Sequence, residues 1–365
     1  MDSDIPLKVH QSFHQSVDQG HIYLYDSTAT HNVDDDPRSF PQTGHVVPQL
    51  GDKPQVPPKT PDLSTKRERD PLQGPFPPGE HVLDLVSPTT GAVYSIVHNL
   101  HALAPEHAML VPRFDQGPHP FRPQTSGLTE GDLWSAWRVV RAYAGQGREA
   151  TMFFNGGPLA GASQPHLHMQ FIPFQHSRPP GPEALARSLP SPALPPSSPS
   201  SLSPSSVPRL PLPWVNFYLP LPSSPEGVTP ASLHETYLSL LRARDALVAA
   251  AAAGEAVPPD EGGKRASHNV FLTTRFMHLV PRRERLVRVP RGREAGARDS
   301  DEGGKEEEEE DEREFGISLN GLVYLGYWYA ATERDWDALR TVGLAKTLTG
   351  AGYANEEWRE RERGE

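Results

Sequence analysis

Between His166 and Ile172 polar and apolar side chains alternate. Leu167, Met169 and Phe171 fall on one side of an extended chain, and His166, His168 and Gln170 on the other. The pattern predicts a half-buried strand whose apolar face meets a core while its imidazoles point together. Further strands are predicted at Thr151–Phe154 and at His81–Val86 and Val93–Val97, the last two joined by a turn through Pro88 and Gly91. Others are predicted at Met109–Val111, at the paired runs Val270–Leu272 and Met277–Val280, and at Leu322–Leu325 with Tyr327–Tyr329. The period changes to that of a helix at Leu133, Ala136, Trp137, Val140 and Tyr143. Thr129 stands as the N-cap, Asp132 lies in the first turn, and the helix ends near Gly145. A second helix follows Leu233, Tyr237, Leu240, Leu241 and Leu247 into an alanine run. Thr332 with Asp335 opens a third through Trp336 and Leu339. Strand pairs with helices between them, and no repeated βαβ spacing, predict an α+β fold with an antiparallel sheet.

Composition divides the chain. Of 365 residues 41 are proline, and twelve of these lie between Pro179 and Pro213 among serines. Such a stretch is expected to be disordered. The stretch up to about Gly79 is rich in Pro, Asp and Gln with few periodic apolar positions, and some of it is expected to form an arm or loop. The expected layout is an N-terminal region with the alternating histidines over 1–175, a disordered Pro/Ser-rich insertion over 176–213, and a C-terminal region over 214–365 that completes the fold, with a charged, disordered insertion at about 290–314. The formal charge is −11, but Asp301–Glu314 holds ten acids against Lys305 and Arg313, leaving only −3 elsewhere. No basic body suited to nucleic acid remains. Cysteine is absent, which excludes disulfides, thiolate metal sites and cysteine nucleophiles. The acidic start Met1-Asp-Ser-Asp is unlike a signal peptide, and no apolar run approaches the ~20 residues of a membrane span. A cytoplasmic or nuclear location is expected, with no membrane partner.

Candidate chemistry sits where a small-residue loop, Asn155-Gly-Gly-Pro-Leu-Ala-Gly-Ala-Ser-Gln164, meets the alternating histidines. Successive backbone N–H groups in such a loop can cradle an anion. That places a phosphate beside a nucleophilic imidazole, with Ser163 and Gln164 as phosphate contacts. Alternate histidines on a strand also suit zinc. A third ligand such as His176 or His278 would then be needed, and zinc leaves the loop unexplained.

Loop and strand resemble the signature of the fungal diadenosine tetraphosphate phosphorylases, or ATP adenylyltransferases. This is a histidine-triad superfamily branch near galactose-1-phosphate uridylyltransferase, with the pattern His-x-His-x-Gln. Val47-Pro-Gln-Leu-Gly-Asp-Lys-Pro54, Val97–Val111 with Asn99 and Pro105-Glu-His, and His268–Pro281 resemble other family segments. The resemblance implies a histidine-triad-like sheet and His168 as the nucleophile, with His166 and Gln170 beside it. It further implies Lys53, Asn99, Asn155 and Gly156 as substrate contacts. The implied reaction is phosphorolysis of a dinucleoside polyphosphate to ADP and ATP. Inorganic phosphate is the acceptor, Mg²⁺ or Mn²⁺ accompanies the nucleotide, and no tight protein metal site is expected. A hexose-1-phosphate nucleotidyltransferase and a non-catalytic nucleotide-binding protein are the alternatives. Leu100 and Leu167 stand where the family often has lysine. That bears on affinity for a tetraphosphate more than on the chemistry.

Overall fold

The computed structural model describes residues 2–33, 39–51, 70–114, 121–174, 178–190, 192, 202–253, 266–291 and 314–364. Fifteen strands are present among them: β1 Tyr23–Leu24, β2 Ala29–Val33, β3 Gln42–Val46, β4 His81–Val86, β5 Val93–His98, β6 His101–Ala102, β7 Ala108–Pro112, β8 Ala150–Gly156, β9 Met169–Pro173, β10 Phe217–Pro220, β11 His268–Leu272, β12 Phe276–Pro281, β13 Leu286–Pro290, β14 Glu314–Ser318 and β15 Tyr327–Ala330. Eight of them form one sheet in the order β10-β12-β11-β8-β9-β7-β5-β4, antiparallel at every pairing. The expected α+β architecture is therefore present. Among the described residues parallel pairing is confined to the short contacts β1–β6 and β15–β3.

Both faces of this sheet are covered, as the period-2 alternation of its strands requires. Met152 and Phe154 of β8, Met169 and Phe171 of β9, and Val270 and Leu272 of β11 face one core. The other side of that core comes from α2 (Glu130–Gly145) and α4 (Pro230–Ala252), through Leu133, Trp137, Val140, Leu233 and Tyr237. Intervening residues such as Phe153, Ile172 and Phe271 face a second core with Trp214, Leu322, Tyr324, Trp328 and Trp336. The capping expected for α2 is complete: the Thr129 side chain accepts from Asp132 N, and Asp132 accepts from Thr129 N in return.

Two expectations are corrected, and one element stands where none was expected. The N-terminal stretch contains a helix, α1 (Ile5–Asp18), with Pro6 in its first turn and Ile5, Val9 and Phe13 buried. Leu322–Leu325 is not a strand. Asn320 Oδ1 accepts from Leu322 N and starts a short helix, Gly321–Tyr324, that delivers four buried residues in succession. The stretch 176–213 is not disordered throughout. It contains α3 (Gly181–Ser188), and Leu210 and Leu212 are fully buried. Composition misleads here because a few anchors suffice. Glu183 is buried, accepts from Arg187 Nε at 2.8 Å and from Thr273 Oγ1 at 2.9 Å, and lies 3.5 Å from His278 Nε2. The charged run from Asp301 lies outside the described residues, apart from Glu314, which opens β14.

Exchanging residues 181–213 for a Gly/Ser linker should accordingly lower the melting temperature. Each buried leucine is worth about 1.5–3 kcal/mol, and His278 loses its carboxylate partner. Thermal melts of the two chains check this, and equal midpoints would restore the reading of a passive insertion.

Candidate active site

Leu167, Met169 and Phe171 lie in the α2-side core, as the alternation requires. Regular strand pairing, however, starts only at Met169. Upstream of it, His166 makes an isolated bridge to Pro123 and Leu167 N donates to Arg122 O. The side chain of Gln124 supplies what a neighbouring strand would. Its Oε1 accepts from His168 N at 2.7 Å. Its Nε2 donates to His168 O at 3.3 Å and to Asn155 O at 2.9 Å. One buried amide thus fastens the histidine segment to the end of β8.

His168 is only 2% exposed. Its Nδ1–H donates to the His166 carbonyl at 2.8 Å, which fixes the tautomer and leaves the lone pair on Nε2. Burial pushes its pKa down to about 4, and neighbouring His166 adds to this. The backbone acceptor and Asp70 oppose the shift without cancelling it. At neutral pH the ring is therefore uncharged and nucleophilic. His166 is oriented from both sides: Nε2–H donates to Pro112 O at 3.0 Å, and Nδ1 lies 2.7 Å from Asp70 Oδ2, a close contact. Gln170 Oε1 accepts from His107 Nε2–H at 3.0 Å, and burial holds His107 itself down to about 4. Asn99 Nδ2 is 3.4 Å from the same His107 nitrogen, while its Oδ1 accepts from His101 N and closes a turn.

The loop is shaped from beneath. Asn155 Oδ1 accepts from Asn269 Nδ2 at 2.8 Å and from Gly321 N at 2.9 Å, and Arg282 donates to Asn269 Oδ1 at 2.8 Å. Gly157 and Gly161 adopt φ of +91° and +86°, and a Cβ at Gly161 would collide with Leu319 O and Asn320. Gly156 packs on Phe154 and His268. The backbone N–H groups of Ala162, Ser163 and Gln164 donate to no other described residue, so they remain available to an anion. Zinc at His166 and His168 does not fit this arrangement. Both His166 nitrogens face oxygens, and His278 is turned to Glu183 and Tyr218. His176 lies outside the described residues.

Two family models match the chain and together span most of it. They are the Ap4A phosphorylase N-terminal domain over residues 51–185 and the ATP adenylyltransferase C-terminal domain over residues 210–354. The chain belongs to the Ap4A phosphorylase family. It is 26% identical over 292 residues to Protein APA1 of Saccharomyces cerevisiae, covering 77% of this chain and 80% of that protein. It is 25% identical to diadenosine 5',5'''-P1,P4-tetraphosphate phosphorylase 2 of the same yeast, covering 77% and 81%. The crystal structure of yeast Ap4A phosphorylase Apa2 in complex with AMP superposes with a TM-score of 0.67 at 22% identity, covering 96% of this chain and 97% of that one. The Apa2 complex with Ap4A gives 0.65 at 21%, covering 96% and 98%.

In this member of the Ap4A phosphorylase family the sequence-derived candidates divide. His166, His168, Gln170 and Asn99 come together around Asp70 and His107. Asn155 holds the scaffold through its Oδ1, and Gly156 is packed beneath the loop. Ser163 is exposed and Gln164 half-buried at the loop's far end. Lys53 lies outside the described residues. Sequence reasoning missed Gln124, Asp70 and His107. Gln124 and Asp70 stand in no periodic pattern. His107 had a visible signal, a histidine directly before the apolar run of β7.

Proposed function

We propose that this member of the Ap4A phosphorylase family converts diadenosine tetraphosphate and inorganic phosphate to ADP and ATP through an adenylyl group carried on His168. The observation that carries the mechanism is the buried, neutral His168 with Nδ1 tied to a carbonyl and Nε2 left free beside a glycine-rich loop. Nε2 attacks the α-phosphorus, the bond from that phosphorus to its bridging oxygen breaks, and ATP leaves. A phosphate oxygen then attacks the same phosphorus, the P–N bond breaks, and ADP leaves with His168 neutral again. Two in-line displacements retain configuration at phosphorus. Phosphate oxygens sit against the N–H groups of Ala162 to Gln164, and Mg²⁺ or Mn²⁺ enters as part of the nucleotide substrate. Turnover of diadenosine tetraphosphate with phosphate should yield ADP and ATP, and mass spectrometry of acid-sensitive adducts should find AMP on His168. Nucleotide binding without products would leave a non-catalytic protein.

Gln170 holds an acceptor toward His107 and does not titrate, so it fits the second step to phosphate rather than to water. Gln170→His places a titratable ring there. The ratio of AMP to ADP at fixed phosphate should rise, by about tenfold if general-base help to water is restored. An unchanged ratio would remove Gln170 from the choice of acceptor.

A further inference from the structure

Away from the His168 site, His10 and His14 stand four residues apart on the exposed face of α1, with ring centroids 4.6 Å apart. Facing them is Glu106, a buried carboxylate on the turn before β7. The three residues offer ligand atoms that all lie within 4.8 Å of one another, the one such grouping among the described residues. We propose that His10, His14 and Glu106 form a binding site for one divalent first-row transition ion of the zinc, cobalt and nickel class.

Three observations converge on it. His10 Nδ1 and Glu106 Oε1 are 2.9 Å apart in a direct hydrogen bond, which an ion would replace without moving either atom far. That matches the edge of an octahedron, since two ligands about 2.1 Å from an ion at near right angles lie about 3 Å from each other. Second, Glu106 is held in place. Its φ of +59° is the only positive value at a described non-glycine residue, a conformation that persists only where its surroundings fix it. Arg148 donates to Oε1 at 2.8 Å, and Tyr143 OH lies 3.5 Å from Oε2. The carboxylate therefore points at α1 without needing the ion to order it. Third, His14 is exposed and His10 already meets the carboxylate, so turning the His14 ring closes the larger separations at little cost. Two imidazoles and one carboxylate select borderline ions over Mg²⁺ and Ca²⁺, which prefer all-oxygen shells. The Arg148 cation beside the carboxylate tempers affinity, and solvent completes the coordination. The ion would clamp α1 to the turn that carries His107, the partner of Gln170. This departs from the expectation that the protein has no metal site, and it does not depend on the role of His168.

The test titrates chelator-stripped full-length protein with Co²⁺ and Zn²⁺, reading calorimetric stoichiometry, the visible absorption of Co²⁺, and the melting temperature. One equivalent should bind in competition with Zn²⁺ but not with millimolar Mg²⁺, and the melting temperature should rise. His10→Ala and His14→Ala should each weaken binding at least about tenfold. The metal-free melting temperature should be nearly unchanged in His14→Ala, and only modestly lower in His10→Ala, where Arg148 still holds Glu106. His81→Ala, at an exposed histidine elsewhere, should change nothing. Equal affinity in the His10→Ala/His14→Ala double variant, or no binding by the wild-type chain at millimolar ion, overturns the proposal.

Discussion

Replacing His168 with alanine is expected to abolish phosphorolysis, by on the order of 10³-fold or more in kcat, or at least about 4 kcal/mol of transition-state stabilisation. The size follows from the double displacement: without Nε2 there is no covalent intermediate, and phosphate must attack a dinucleotide that nothing has activated. The fold should survive, because Gln124 grips the backbone of residue 168 rather than its ring. His166→Ala makes an instructive contrast. It removes a ring that orients rather than attacks, so its catalytic loss should be smaller. It leaves the Asp70 carboxylate and the Pro112 carbonyl without their partner, so its cost in stability should be larger. Steady-state rates with diadenosine tetraphosphate, paired with thermal melts of both variants, separate the two roles. Near-normal turnover by the His168 variant would move the nucleophile elsewhere.

Acid should unfold the protein well before pH 4. Burial holds the imidazoles of His98, His107 and His168 down to about 4 and that of His268 to about 3. In the unfolded chain each returns to about 6.5, so between those values the unfolded state binds more protons and stability falls with pH. The loss begins near pH 6.5, grows on acidification, and levels off only below the folded-state values. By pH 5 each ring contributes about 2 kcal/mol of destabilisation, and four together rival the roughly 5–15 kcal/mol that holds an ordinary domain folded. Melting temperatures at pH 7, 6 and 5 should drop steeply in that order. A His98→Gln variant, which keeps a side chain able to bond Ser12 Oγ, should flatten the slope. A melting temperature constant from pH 7 to 5 would mean that these rings are not kept neutral by the fold.

What the sequence made legible was local. Thr129 and Asp132 lie three residues apart and the apolar stripe behind them has one clear period, so α2 was readable to within a residue or two. The period-2 run from Leu167 to Phe171 likewise announced which face His168 and Gln170 would share. What supports His168 was not readable. Gln124 reaches it across 44 residues of chain, and no periodicity encodes that contact. Asn155 illustrates a second kind of hidden contact. A polar residue opening a glycine-rich loop looks like a ligand contact, and its Oδ1 also carries a scaffold role toward Asn269 and Gly321, both far along the chain. The Pro/Ser stretch failed for a third reason, since average composition hides Glu183, Leu210 and Leu212, which anchor it together.

The pairing of β8 with β11 joins strands whose facing residues Asn155 and Asn269 are 114 residues apart in the chain. On the ribosome, β8 is made with β9 soon available on one side and nothing on the other. At roughly 5–20 residues per second its second edge waits about 6–23 s for a partner. That edge carries Met152, Phe153 and Phe154, the kind of unpaired apolar strand that recruits other chains. The nascent protein is therefore most exposed to misassembly in the middle of its own translation, and pauses between residues 157 and 268 lengthen the dangerous interval.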